Sequence, residues 1–316
     1  MKTISFFSYK GGAGRSTLAY NLIPILASEH FHPTAEHPMI VVDTDVDSCG
    51  MSYLVKAEDK VTETNCIQHL LDNDFINKRY ASIYDHPFLK NLIPVGNAFG
   101  CADDRAILLL PAMDNKNIHK GRSNYSEAAG EDFGAHMENI LKACEEYFDV
   151  PAVIFDSAVG NTAMANISNE MADIIVCVMR PTIQFVNGTQ RYLADVESGK
   201  KSIGTGKHII LVPNVIPNNE ITIGRAQYPA TAIDKICDTF ISYPKFVNSK
   251  KNTYHMDLLS RNPAQCGIPM VASFLYVEGQ LMQKRLNNEP FNENETEVFE
   301  RYKKLAGIIN DIDLDA

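Results

Sequence analysis

Eight consecutive residues near the start of the chain, Lys10-Gly11-Gly12-Ala13-Gly14-Arg15-Ser16-Thr17, hold three glycines, two cations and two hydroxyls. They follow a short apolar run, Ile4 to Phe7, and lead into a segment with helical spacing. Glycines let a backbone curl until several N–H groups aim at one centre. A helix that starts at the end of the curl adds the partial positive charge of its N-terminus. The Ser16 hydroxyl is a hard oxygen that suits magnesium. This is chemistry for holding a phosphate; a bare tight turn is the alternative.

Carboxylates elsewhere in the chain favour the phosphate reading. Asp43-Thr44-Asp45 closes the apolar run Met39 to Asp43, and Asp156 closes the run Ala152 to Asp156, with Gly160 four residues on. Acidic residues at the carboxyl end of a buried strand can point into the crevice where a nucleotide and its metal sit. Gly160 permits close approach of backbone to a terminal phosphate.

The usual phosphate loop reads G-x-x-x-x-G-K-[ST]; here Tyr9 stands at its first glycine, Arg15 at its lysine, and Lys10 supplies an extra cation. In "KGGAG" and "STLA" the chain resembles the deviant Walker A ATPases of the ParA/MinD superfamily, with similarity to MipZ-like and TadZ/CpaE-like members. The resemblance covers Met1 to about Asn218. It departs at Arg15, at Val46-Asp47 where Pro-Gln is common, and at Ser157-Ala158-Val159 where Thr-Pro-Pro or Cys-Pro-Pro is common. It implies ATP and Mg2+ as cofactors, with Gly11, Gly12, Ala13, Gly14, Arg15, Ser16 and Thr17 on the phosphates and Asn214 facing the base. By the same resemblance Ser16, Asp43 and Asp156 surround the metal, Asp45 positions the attacking water, and Lys10 reaches across an ATP-sandwich homodimer to the partner's nucleotide. The implied activity is a slow ATPase that switches a dimer and positions or assembles a cargo: DNA, a division factor, or a pilus or secretion platform. A weakly hydrolysing scaffold, such as a pilus assembly factor, is the rival, and a small-molecule kinase or ligase is a third reading.

These residues need a frame to bring them together. Short apolar runs alternating with helical patterns predict an α/β fold: a P-loop, Rossmann-like, doubly wound and mostly parallel sheet with helices on both faces. The runs read as strands are Ile4 to Ser8, Met39 to Asp43, Asn91 to Val95, Ala152 to Asp156, Asp173 to Met179, His208 to Pro213 and Pro269 to Leu275. Helices are expected at about Ser16 to Ser28, Cys66 to Leu71, Gly134 to Phe148, Gln184 to Glu197 and Val298 to Ile309, the first kinked at Pro24. Residues 112–132 are poor in large apolar side chains and read as a loop insertion. Nothing between the patterns reads as a linker, so a single domain over residues 1–316 is expected.

At 316 residues, 45% apolar and 22% charged, the chain is composed as a soluble globular protein, and no apolar run reaches the length of a membrane span. Its seven cysteines are scattered, with no Cys-x-x-Cys pair. Reduced, packed thiols and a cytoplasmic location are the expectation. A net charge of −10 excludes a surface that coats nucleic acid all over. It leaves local patches, and Lys200, Lys201 and Lys207, or Lys245, Lys250 and Lys251, are candidates for nonspecific DNA contact in a dimer. An activator or platform protein is the other partner expected; direct membrane insertion is not.

Overall fold

A computed structural model describes residues 1–46, 48–71, 80–112, 127–201, 203–216, 228–270 and 280–314. In chain order the main elements are β1 (Lys2–Phe7), α1 (Arg15–Leu26), β2 (Met39–Asp43), α2 (Gly50–Leu54), α3 (Ile67–Leu71), β3 (Ile93–Pro94), β4 (Ile107–Leu110), α4 (Glu127–Tyr147) and β5 (Ala152–Asp156). They continue with α5 (Ala163–Met171), β6 (Ile174–Met179), α6 (Ile183–Glu197), β7 (His208–Pro213), α7 (Tyr228–Phe240), α8 (Pro244–Val247), β8 (Thr253–His255), α9 (Gln280–Leu286) and α10 (Glu293–Asp311). The eight strands form one mostly parallel sheet in the order β3-β4-β2-β5-β1-β6-β7-β8. Among the described residues no helix is long and apolar enough to cross a membrane.

The chain divides into two compact units, each drawn from three separate stretches. The first takes Met1–Ser5, Ile23–Ala158 and Thr162–Ala172. In it β2 runs parallel to β4 and to β5, every residue of all three strands is buried, and the register sets Asp43 beside Asp156. Side chains such as Val41, Ile154 and Phe155, buried on both faces, contribute about 1.5–3 kcal/mol each through lost apolar contact with water. Strand β3 is antiparallel to β4 and only two residues long. Residues Leu89–Asn91 ahead of it wind into a 3-10 turn, and Pro94 has no N–H to extend a ladder. That turn hangs on buried His86, whose Nδ1 accepts from the Phe88 and Leu89 N–H groups, each at 3.2 Å.

The second unit takes Phe6–Leu22, Val159–Asn161 and Asp173–Ala316. Here β6, β7 and β8 pair in parallel. The α6 helix buries Val186, Thr189, Tyr192, Leu193 and Val196, one face at helical spacing. The α10 helix opens on a capping box between Asn292 and Glu295, and buried Glu295 also binds Lys284 Nζ at 2.7 and 2.8 Å.

Several expected bounds move. The first strand is Lys2–Phe7, not Ile4 to Ser8, and the strand expected from Asn91 shrinks to Ile93–Pro94. Helix α4 begins at Glu127, so residues 127–132 of the expected insertion are helical; 113–126 lie outside the described residues. The expected strand from Pro269 contributes one described bridge, Ile216 to Pro269, and its residues 271–275 also lie outside. Strands β4 and β8 were not expected at all. Helix α1 carries Pro24 to Leu26 and then widens into a π-helical turn, Ala27–Phe31, closed by His32 at φ +45°.

Candidate functional site

In the second unit, the end of β1, Phe6 and Phe7, delivers the chain into the glycine loop and the start of α1 takes it up at Arg15. Gly12 and Gly14 both sit at φ +79°, a conformation strained for any side chain with a Cβ. A Cβ on Gly11 or Gly12 would meet open space, whereas one on Gly14 would lie 2.8 Å from Asn214 Nδ2. The loop's front, Lys10 to Gly12, is exposed, and Ala13 behind it is buried. Asn214, just past β7, donates from Nδ2 to the Ala13 carbonyl at 2.9 Å, and its own N–H donates to Met179 O at 2.7 Å. The loop is thereby pinned to the ends of β6 and β7, and Asn214, assigned to the base by resemblance, spends its amide nitrogen on the loop.

Arg15 is 5% exposed, a guanidinium drawn into the protein at the first residue of α1. Its Nη2 donates to Ser16 Oγ at 3.4 Å. Lys10 behaves differently: it is exposed, and its Nζ donates to Gln184 Oε1 in the first turn of α6 at 2.8 Å. Tyr9, at the position where the common loop has glycine, packs against α6 where Gly188 leaves no side chain; a Cβ there would run into the Tyr9 ring. Tyr192, one turn on, stacks on Phe7 with ring centroids 4.5 Å apart. Gly160, at φ +75°, donates its N–H to Ser8 O at 2.9 Å, and Asn161 Oδ1 accepts from Lys201. The close backbone approach expected of Gly160 is made to the loop's entrance.

In the first unit three carboxylates gather at the carboxyl ends of β2 and β5. Asp43 and Asp156 are register partners and both are fully buried; Asp45 is 6% exposed. Asp43 Oδ2 accepts from Ser52 N at 3.1 Å and Ser52 Oγ at 3.0 Å, and Oδ1 accepts from Asp45 N at 3.2 Å. Burial, and then repulsion from Asp156, push the Asp43 carboxyl up to about 7 against the pull of Ser52. Between the acids, Thr44 ties the strand ends: its N–H and hydroxyl both donate to Asp156 O, at 3.0 and 3.2 Å, and its oxygen accepts from Ala158 N at 3.1 Å.

Taken unit by unit, the residues present suit the parts of ATP with Mg2+. Open-fronted glycines, a helix N-terminus and two cations suit a polyphosphate. Buried neighbouring carboxylates, one raised towards neutrality, are a hard oxygen set that a divalent cation relieves of repulsion.

Protein-family models and curated protein sequences return no match to the chain. Solved structures do. A Cyanothece McdA variant in complex with ATP is similar at a TM-score of 0.62 and 18% identity, over 97% of this chain and 96% of that one. The MinD septum site-determining protein of Pyrococcus horikoshii, with Mg-ADP, matches at 0.52 and 15%, over 98% and 96%. A Borrelia burgdorferi putative plasmid partition protein bound to AMPPNP matches at 0.54 and 13%, over 97% and 98%. The chain has the MinD and ParA fold.

Gln184, Gly188, Ser52 and Thr44 were missed by reading the sequence. Gly188 alone left a signal, a glycine inside an otherwise regular helical pattern.

Proposed function

We propose that the protein is an ATP- and magnesium-dependent switch of the ParA/MinD type, a homodimerising ATPase that positions or assembles a cellular cargo. The observation that carries the reading is the loop: two glycines at left-handed φ, pinned by Asn214, opening onto a helix N-terminus that begins with a buried arginine. The nucleotides named in the similar structures, ATP, Mg-ADP and AMPPNP, support the choice of ligand.

Gly11 to Thr17 would hold the phosphates through backbone N–H groups, Arg15 would add a fixed cation, and Ser16, Asp43 and Asp156, the set the resemblance implies, would hold the metal. Bound Mg2+ supplies charge neutralisation at the terminal phosphates. Asp45 orients the attacking water and takes its proton on a carboxylate oxygen. Lys10 serves the partner's nucleotide, offsetting the repulsion between two facing phosphate chains. An activator or platform protein then reads the dimer.

Light scattering on a sizing column decides the central claim. With ATP and magnesium the wild type elutes as a dimer and Asp45→Ala dimerises without turnover; a monomer under both conditions would overturn it. The non-hydrolysing scaffold draws on Arg15, whose broad fork, bonded to Ser16, places a γ-phosphate differently from a lysine. It predicts the same dimer with no phosphate release. Nonspecific DNA is a candidate cargo because the two lysine clusters meet: Lys251 O accepts from Gly206 N at 2.6 Å, and Lys251 Nζ lies 3.3 Å from the point a Cβ on Gly199 would occupy. Binding there by the ATP-bound dimer at low salt, lost steeply as salt rises, supports DNA; no binding at low salt leaves a protein platform.

A further inference from the structure

Lys10 is the cation assigned above to a second copy, yet in the single chain it is engaged. Its Nζ donates to Gln184 Oε1 at 2.8 Å, and both residues are exposed. Gln184 is the second residue of α6, and its neighbour Ile183 is 56% exposed, the most outlying apolar side chain in that helix. The helix cannot drift from the loop at this point, because the Tyr9 ring is seated on Gly188 one turn further along. Gln184 is therefore held where it can reach Lys10.

We propose that Gln184 parks Lys10 on its own chain, and that this contact must break before Lys10 can cross to a partner's nucleotide. The inference rests on the dimerising reading given above and adds its regulation: the first turn of α6 sets the threshold for assembly. A hydrogen bond from an exposed ammonium to a neutral amide is weak on its own. A symmetric dimer breaks two of them, so its effect on the association constant is squared. A contact that holds Lys10 back about threefold per chain lowers dimer association about tenfold.

Removing the acceptor and strengthening it should act in opposite directions. With a slowly hydrolysed ATP analogue and magnesium, Gln184→Ala is expected to dimerise at about tenfold lower protein concentration than wild type. Gln184→Glu turns the contact into an ion pair, so it requires a higher concentration, and added salt narrows the difference. In a Lys10→Ala background neither change should matter, since the coupling vanishes with one partner. Association of Gln184→Ala equal to or weaker than wild type, while Lys10→Ala fails to dimerise, overturns the parking inference and leaves the dimer reading standing. If instead Lys10→Ala dimerises like wild type, the trans role of Lys10 falls.

A measurement on the nucleotide-free monomer keeps the two failures apart. Limited acetylation followed by peptide mass spectrometry should show Lys10 reacting at least about twofold faster in Gln184→Ala, with exposed Lys250 unchanged as the internal reference. An unchanged Lys10 rate overturns the parking contact whatever the dimer does.

Discussion

Two cations five positions apart in sequence illustrate what a residue's surroundings decide. Arg15 is buried beside Ser16 and Lys10 reaches outward to Gln184, although both were read from one short string. If the Arg15 guanidinium places the terminal phosphate imperfectly, Arg15→Lys should raise single-turnover hydrolysis, and a gain of about tenfold corresponds to about 1.4 kcal/mol of transition-state stabilisation. A rate at or below wild type would mean that the site has adapted to arginine. Arg15→Ala should weaken ATP binding in calorimetry, because backbone amides do not replace a formal charge. The acids were legible as a set, from Asp43, Asp45 and Asp156 at strand ends, but Thr44 and Ser52, which position them, were not. Both are short polar side chains whose partners lie far away in sequence or beyond a turn. His86 was equally silent. Burial lowers its imidazole to about 4, below the ordinary 6.5, so the folded state binds fewer protons than the unfolded chain between those values. Stability from this group is present above about 6.5 and is lost as pH falls towards 4, to the extent of on the order of 3 kcal/mol. Urea midpoints across that range should fall for wild type and fall less for His86→Asn, whose side-chain oxygen can accept from the same two N–H groups.

Among the elements, the strands buried on both faces were the easiest to read: Met39–Asp43, Ala152–Asp156 and His208–Pro213 match their expected bounds. Apolar runs rich in β-branched residues and closed by turn formers carry that signal in their own composition. Ile107–Leu110 did not, because three leucines in a row favour helix by intrinsic propensity, and Thr253–His255 is a short polar edge whose pairing with β7 is a tertiary fact. Helix α10 starts five residues before its apolar stripe because the capping box at Asn292 and Glu295 makes its first turn polar. Helix α6 offers a test of packing against intrinsic preference. Gly188→Ala in a free helix would gain about 1 kcal/mol. Here the new methyl meets the Tyr9 ring, and overpacking of that kind costs about 1–3 kcal/mol. Gly188→Ala should therefore lower the thermal midpoint and weaken ATP binding, and in a Tyr9→Ala background the same change should become stabilising. A gain in both backgrounds would show that the ring moves aside freely.

For the whole molecule, the two compact units share a strand: Lys2–Ser5 of β1 belongs to one and Phe6–Phe7 to the other. Separating them would tear a continuous buried strand, so calorimetry and far-UV circular dichroism should report one coincident unfolding transition; two resolved transitions would show that the units melt independently. The strand order adds a consequence for biosynthesis. β1 leaves the ribosome well before its neighbours in the sheet, β5 and β6, which begin at Ala152 and Ile174. The whole stretch from β1 through Met179 must emerge before the sheet's middle can close, and until then a bare run of Ile4, Phe6 and Phe7 waits without hydrogen-bonding partners. A nascent chain of this design depends on a chaperone or on dilution during translation. Arrested chains ending before β5 should associate with holdases far more than chains extended past β6.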